Sequence, residues 1–212
     1  ETILVLAEEI RKEFFPNMKV TDLKPFYNNP DYIKVLSNSI AKHLEGKDYQ
    51  HLLFSYHGVP ERHIRKSDIT KSHCDPSPKG CGECCKNQSS AHEFCYRHQC
   101  VEVTRLVGEH LGMTEGTFSS SFQSRLGFDP WLRPYTDRTI ERFGKEGMKK
   151  MAIVTPAFVS DCLETLDAIK VNKKAKRLWY LLNKDTKIRV KTAFGMTSEA
   201  EVGDCLGQGT GG

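Results

Sequence analysis

An α/β fold, a parallel sheet with helices on both faces, is predicted by three features of this sequence. Apolar residues recur at helical spacing in several windows, and short apolar runs of strand length stand between those windows. Helix and strand alternate along the chain, the order that builds a parallel sheet from crossover units. In chain order, residues 2–15 place Ile3, Leu6, Ile10 and Phe14 at helical spacing with Glu and Lys opposite, which predicts an amphipathic helix. Pro16 and Asn17 end it, and Met18 to Leu23 alternate as a strand would. Pro30 opens a second helix through Ile33, Val35, Leu36 and Ile40, and Leu52, Leu53 and Phe54 form a buried strand.

After residue 60 the periodicity gives way to a polar stretch, residues 61–94, rich in Pro, Gly, Ser, Lys and Cys, which reads as an insertion. Regularity resumes with a helix at 95–112, a strand at 117–122, a helix from Thr136 to Lys145, the strand Met151 to Thr155 and a helix beginning near Asp161. Residues 170–212 begin with Lys170, Lys173, Lys174, Lys176 and Arg177 and finish GQGTGG. They offer no convincing core strand and read as a solvated or disordered tail.

The composition narrows the class. With 212 residues, 38% of them hydrophobic, the chain can bury a sizeable core, which argues against disorder. Charged residues make up 27%, and no apolar run approaches the ~20 residues of a membrane-spanning helix. The net charge of +4 comes partly from the basic cluster near the C-terminus, with no matching recognition motif, so no nucleic-acid partner is expected. No basic-then-apolar leader is visible and the first residue is Glu1, so the expectation is a cytoplasmic protein of which this is a piece. The eight cysteines then read as reduced thiols or metal ligands rather than disulfides.

Four stretches carry chemistry. FSYHGVP (Phe54 to Pro60) puts His57 directly after a buried strand, in a turn supplied by Gly58 and Pro60. Ligands of open parallel sheets bind outside the carboxyl ends of strands, and an imidazole there can take a proton or hold a metal near neutral pH. VTPAFVSDCLETLD (Val154 to Asp167) repeats the arrangement, with Asp161, Glu164 and Asp167 along one side of a helix start. Acids there also suit the helix dipole, the plainer reason for their presence. Six cysteines, Cys74, Cys81, Cys84, Cys85, Cys95 and Cys100, crowd the insertion and the helix start after it. Four thiolates from such a set suit tetrahedral zinc or an iron–sulfur cluster, and His73, His92 and His98 leave a mixed zinc site open. Finally, SFQSRLGFDPWLRPYTD (Ser121 to Asp137) sets Trp131 and Tyr135 among prolines beyond a strand, a flat apolar wall or a packed loop cover.

Together these stretches closely resemble the ferrochelatases, which insert ferrous iron into a porphyrin at the end of heme synthesis. FSYHGVP resembles the family's histidine motif, QSRLGFDPWLRPYTD its porphyrin-wall loop and PAFVSDCLETL its acidic helix; KPFYNNPDYIKVLSNSI (Lys24 to Ile40) resembles the segment leading into the histidine strand. The resemblance covers residues 1–169. It implies a chelatase-type parallel sheet, with residues 1–50 ending an N-terminal half and crossing over, 51–169 forming the C-terminal half with the insertion at 61–100, and 170–212 a divergent tail. The chain is then truncated at both ends, and its 212 residues alone are expected to bind porphyrin poorly.

The resemblance also implies roles. His57 is the proton acceptor or metal-handling group and Glu164 its companion carboxylate, both toward the substrate iron; Asp161 hydrogen-bonds in the pocket, Trp131 and Phe158 press on the macrocycle, and Gln123 and Ser124 line the site. The cysteine pattern resembles a bacterial branch with a [2Fe-2S] cluster in an internal insertion, making Cys74, Cys84, Cys85, Cys95 and Cys100 candidate ligands, with zinc the alternative. Peripheral contact with the inner membrane fits a poorly soluble porphyrin. Two positions depart from the family pattern: Cys162 stands where many members have histidine, and Ala168 where the acid row often continues. The rival readings are a thiolate-ligated iron–sulfur or zinc module without porphyrin chemistry, and a sister chelatase using cobalt.

Overall fold

The computed structural model describes residues 2–77, 82–157, 187–192 and 197–201. The first helix, α1 (Thr2–Phe14), spans the predicted window. The second, α2 (Pro30–Leu44), starts where expected because Asn29 Oδ1 accepts from Asp31 N at 2.9 Å and Tyr32 N at 3.2 Å, and Pro30 occupies the first turn without losing a hydrogen bond. Its buried stripe is Ile33, Leu36 and Ile40, while Val35 faces outward. Between the two helices, Met18 to Leu23 forms no strand; the segment is irregular, with Leu23 88% exposed. Alternation alone does not make a strand, because a ladder partner is also needed and none pairs with it among the described residues.

The sheet is built from β1 (His51–His57), β2 (Phe118–Gln123), β3 (Lys150–Thr155), β4 (Lys187–Thr192) and β5 (Thr197–Glu201), in the order β2-β1-β3-β4-β5. The first four run parallel, and β5 closes the edge antiparallel to β4. The parallel sheet agrees with the expected fold class, while one expectation is corrected: the segment read as a tail without a core strand contributes β4 and β5. Lys and Thr in KIRVKT mask a strand that pairs residue for residue with β3, from Lys150 opposite Lys187 to Thr155 opposite Thr192. The helix expected from Asp161 lies outside the described residues.

Alternation along β1 sorts its side chains to two faces. Leu52, Phe54 and Tyr56 meet Ala152 and Val154 of β3 under α2 and α5 (Tyr96–His110), joined by Val103 and Val107. On the opposite face Leu53 packs with Met151, Ile153 and the Ile140 and Phe143 side chains of α6 (Thr136–Lys145). Phe54, Leu52, Leu53 and Leu36 are fully buried, each contributing about 1.5–3 kcal/mol by removal from water. The insertion is largely short helical turns: α3 (Glu61–Ser67), α4 (Glu83–Lys86) and a 3-10 turn at Ser90–Glu93.

Candidate active site at the strand ends

Chain leaving β1 turns toward the α5 face, whereas chain leaving the adjacent β2 turns toward α6 on the other face. In this strand order β1 is followed by β2 on one side and β3 by β4 on the other, and such a switch point places the crevice of an open sheet at the carboxyl ends of β1 and β3. His57, the last residue of β1, stands at that switch point, and Gln123, the last residue of β2, is its register partner on the other side. Gly58 follows, its N–H donating to Gln123 O at 2.8 Å. A Cβ at Gly58 would sit 2.6 Å from that same oxygen and 3.4 Å from the Trp131 ring, so only glycine allows the two loops this close.

Polar groups on the α6 face lead to the same point. Ser55 Oγ donates to Gln123 Oε1 at 3.2 Å and accepts from Thr136 Oγ1 at 2.8 Å, and Ser121 Oγ joins Thr136 Oγ1 at 2.9 Å. This network fixes the Gln123 amide by its oxygen. Its nitrogen, Gln123 Nε2, is buried with no hydrogen-bond partner, as is Ser124 Oγ one residue later. Ser124 is held at φ 66°, a left-handed conformation that costs energy outside glycine and concentrates at ligand-binding turns. Two orphaned polar atoms beside an imidazole suit a ligand that brings its own partners.

The 124–135 loop is tied down from several sides. Leu132 N donates to Val59 O at 3.0 Å, Glu61 N to Pro130 O at 2.8 Å, and Phe122 N to Pro134 O at 2.8 Å. Trp131 Nε1 donates to Leu126 O at 2.8 Å, leaving the indole beside Gly58. Buried Glu61 takes Arg65 at 3.1 Å and Arg133 at 3.6 Å, and Arg125 reaches Asp137 at 2.8 Å while stacking over Tyr135. The loop tip is apolar and open, with Leu126 80% exposed and Phe128 fully so.

Beneath His57, Tyr96 Oη donates to the His57 carbonyl at 2.9 Å. Tyr96 opens α5 directly after Cys95, and its hydroxyl also meets the Cys100 thiol one turn on. The insertion is thereby joined to the strand end that carries the imidazole. Burial pushes Tyr96 and Cys100 well above their ordinary ranges, so both stay protonated.

Cys74, Cys84, Cys85, Cys95 and Cys100 are all free thiols. Cys74 is pushed far up by burial and by Cys95, which lies in hydrogen-bonding reach, with Asp68 and Cys84 adding. Cys85 is pushed up to about 12 by burial, against the pull of Arg97, with Cys84 and Cys95 raising it further. Arg97, 4% exposed, donates from Nη1 to Cys85 Sγ at 3.7 Å. Burial keeps these thiols protonated. The features that suit a thiolate site are the Arg97 guanidinium on Cys85 and the hydrogen-bonding reach of Cys74 and Cys95, and a bound metal would displace the thiol protons. As placed, no group of three or more His, Cys, Asp or Glu side chains closes on one metal among the described residues. Cys81 is not among those residues, and Cys100 packs into the core.

The turn into Cys74 is organised by Asp68. Its Oδ2 accepts from His73 N and Cys74 N, both at 2.8 Å, and its Oδ1 from Thr70 N at 2.8 Å and Thr70 Oγ1 at 2.7 Å. Burial raises Asp68, but these four donors outweigh it and hold the carboxyl well below the usual range. Asp68, Tyr96 and Arg97 were not among the residues expected from sequence. An Asx turn signal, D-I-T at Asp68 to Thr70, was the available clue to the first.

Of the expected site residues, the structure brings His57, Gln123, Ser124 and Trp131 together at one strand end. Phe158, Asp161 and Glu164 lie outside the described residues. Strand β3 ends at Thr155 beside β1, so the chain leaves toward those positions from the neighbouring strand.

The class so defined is an open α/β protein whose ligand site lies outside the carboxyl ends of parallel strands, with a rigid aromatic loop as one wall. A sequence profile of the ferrochelatase family matches residues 2–183, and the chain belongs to that family. A ferrochelatase of Pseudomonas fluorescens (strain Pf0-1) is 42% identical over 169 residues, covering 79% of this chain and 48% of the relative. One from Opitutus terrae is 40% identical over 174 residues, covering 82% and 49%. The chain thus spans about half the length of these curated relatives.

Proposed function

We infer that this chain forms the part of a ferrochelatase that carries the metal-inserting side of the site, acting as a lyase-class metal chelatase on protoporphyrin and ferrous iron. The observation that carries the reading is the pairing of His57 with Gln123 at the strand ends, beside the unpartnered Gln123 Nε2 and Ser124 Oγ and under the Trp131 loop.

Insertion of iron into a porphyrin requires two pyrrole protons to leave and the nitrogen lone pairs to turn toward the ion. In this reading the Trp131 face holds the macrocycle at an angle that the rigid loop does not yield, and binding energy is spent on bending it. His57 accepts a pyrrole proton, its position set by β1 and by Tyr96 at its carbonyl. Gln123 Nε2 and Ser124 Oγ donate to acceptor groups of the ligand. Glu164 is the companion carboxylate for the proton and the incoming iron, Asp161 a hydrogen-bonding partner, and Phe158 a second apolar contact. Iron is the substrate and leaves in the product.

For the thiols, the reading is a [2Fe-2S] cluster held by four of Cys74, Cys84, Cys85, Cys95 and Cys100, with zinc as the alternative occupant. The Arg97 contact with Cys85 Sγ and the closeness of Cys74 and Cys95 support the fit. When bound, such a group supplies covalent cross-links that staple the insertion to the start of α5. Tyr96 then transmits that rigidity to the His57 carbonyl. A cytoplasmic setting agrees with reduced cysteines. No helix among the described residues is long and apolar enough to cross a membrane.

Anaerobic reconstitution with iron and sulfide tests the thiol reading: visible absorption and an electron paramagnetic signal on reduction are expected, and both vanish in Cys74→Ser and Cys95→Ser. Retention of the signal in both variants would remove those two residues from the ligand set.

A further inference from the structure

Next to the thiols, three imidazoles gather on the far side of α4. His73 Nε2 lies 2.8 Å from the Cys84 carbonyl oxygen, His92 Nε2 lies 3.0 Å from the same oxygen, and the two nitrogens are 3.2 Å apart. His98 stacks on His92 at 3.7 Å with the rings 9° from parallel, and its Nδ1 is buried without a hydrogen-bond partner. The strand-end reading uses none of these groups.

We propose that His73, His92 and the Cys84 carbonyl form a separate cation site that takes one borderline first-row divalent ion, of the zinc or cobalt kind. Ligand atoms ~2.05 Å from a tetrahedral ion sit about 3.3 Å from one another, and closer around an octahedral one. The triangle of 2.8, 3.0 and 3.2 Å has those edge lengths. Without an ion, the two Nε2 atoms and the carbonyl oxygen can be satisfied only by protons on one or both Nε2 atoms crowded onto a single carbonyl. An ion replaces those protons and satisfies two lone pairs and a carbonyl dipole at once. Glu102 on α5, paired bidentately with Arg105 at 2.6 and 2.9 Å, is the carboxylate that faces His92 and His98. The ion braces the α4 turn that carries Cys84 and Cys85 but uses neither thiol, so the proposal stands whether or not the thiols hold a cluster.

The test is cobalt titration of the full chain, with the number of bound ions measured by dialysis and their ligands by the visible and near-ultraviolet spectrum. Wild type is expected to bind one more ion than His73→Gln or His92→Gln, or to bind that ion at least tenfold more tightly, with thiolate-to-cobalt bands unchanged. His110→Gln, an exposed histidine in the last turn of α5, is expected to match wild type. Equal binding in every variant overturns the proposal, as does loss of the thiolate bands together with the ion, which would mean a mixed thiolate–imidazole centre. Should circular dichroism show either glutamine variant unfolded, X-ray absorption of zinc-saturated wild type decides. Imidazole carbon scattering is then expected, and sulfur-only coordination contradicts the site.

Discussion

Gly58 illustrates how one missing side chain sets a site. The His57 turn can lie against Gln123 only because no Cβ intervenes, and Gly58→Ala must push the Gln123 carbonyl back or break the Gly58 hydrogen bond. A loss of about 1–3 kcal/mol is expected from such overpacking, read as a lower midpoint in urea. Asp68 works through charge instead. Because its folded value lies below the unfolded one, its contribution is complete above the ordinary carboxylate range and fades as pH falls through and below that range. The stability difference between wild type and Asp68→Asn should therefore be flat above pH ~5 and shrink below pH ~4, in urea melts across pH. A difference that grew on acidification would contradict the assignment. His57 was legible from sequence because a buried apolar run ended on it; Asp68 was not, because its value lies in four backbone and side-chain donors that only the folded turn presents.

Among the elements, α5 does the most to join the two chemical regions. Its first residue holds the His57 carbonyl, its cap is Cys95, and its buried face carries Arg97, Cys100, Val103 and Val107. Tyr96→Phe removes the part-buried bond to the His57 carbonyl together with the contact to the Cys100 thiol and should cost about 1–2 kcal/mol, with amide exchange at the end of β1 accelerating more than in β3. Equal acceleration across the sheet would mean that Tyr96 only packs. Helix α6 and strands β1, β2 and β3 could be placed within a residue or a few, α6 from its amphipathic period and the strands as short apolar or small-residue runs, β1 and β3 being buried on both faces. The two strands near the C-terminus could not, because Lys187, Arg189 and Lys191 obscure the strand pattern and pairing with β3 supplies what local pattern lacks. Met18 to Leu23 failed in the opposite sense, having pattern without partner.

The molecule as a whole carries an uneven surface. Leu4, Val5, Leu6, Ile10, Phe14 and Phe15 of α1 and its end are 44–63% exposed, a contiguous run of apolar residues that no other described element covers. Polar replacement there, as in Leu6→Gln with Phe14→Gln, should change stability by less than about 0.5 kcal/mol while reducing self-association in light scattering. Leu36→Ala, at 0% exposure, should cost about 2–5 kcal/mol. The proposed porphyrin chemistry is tested at this scale, since the relatives are about twice as long as the segment matched here. The most direct measurement joins the upstream half of the Pseudomonas fluorescens relative to this chain and follows loss of protoporphyrin fluorescence on anaerobic addition of ferrous iron. Metallation at least a hundredfold faster than in the His57→Ala form of the same fusion is expected. Equal rates in the two, with porphyrin bound to both, would contradict the placement of proton transfer at the β1 strand end.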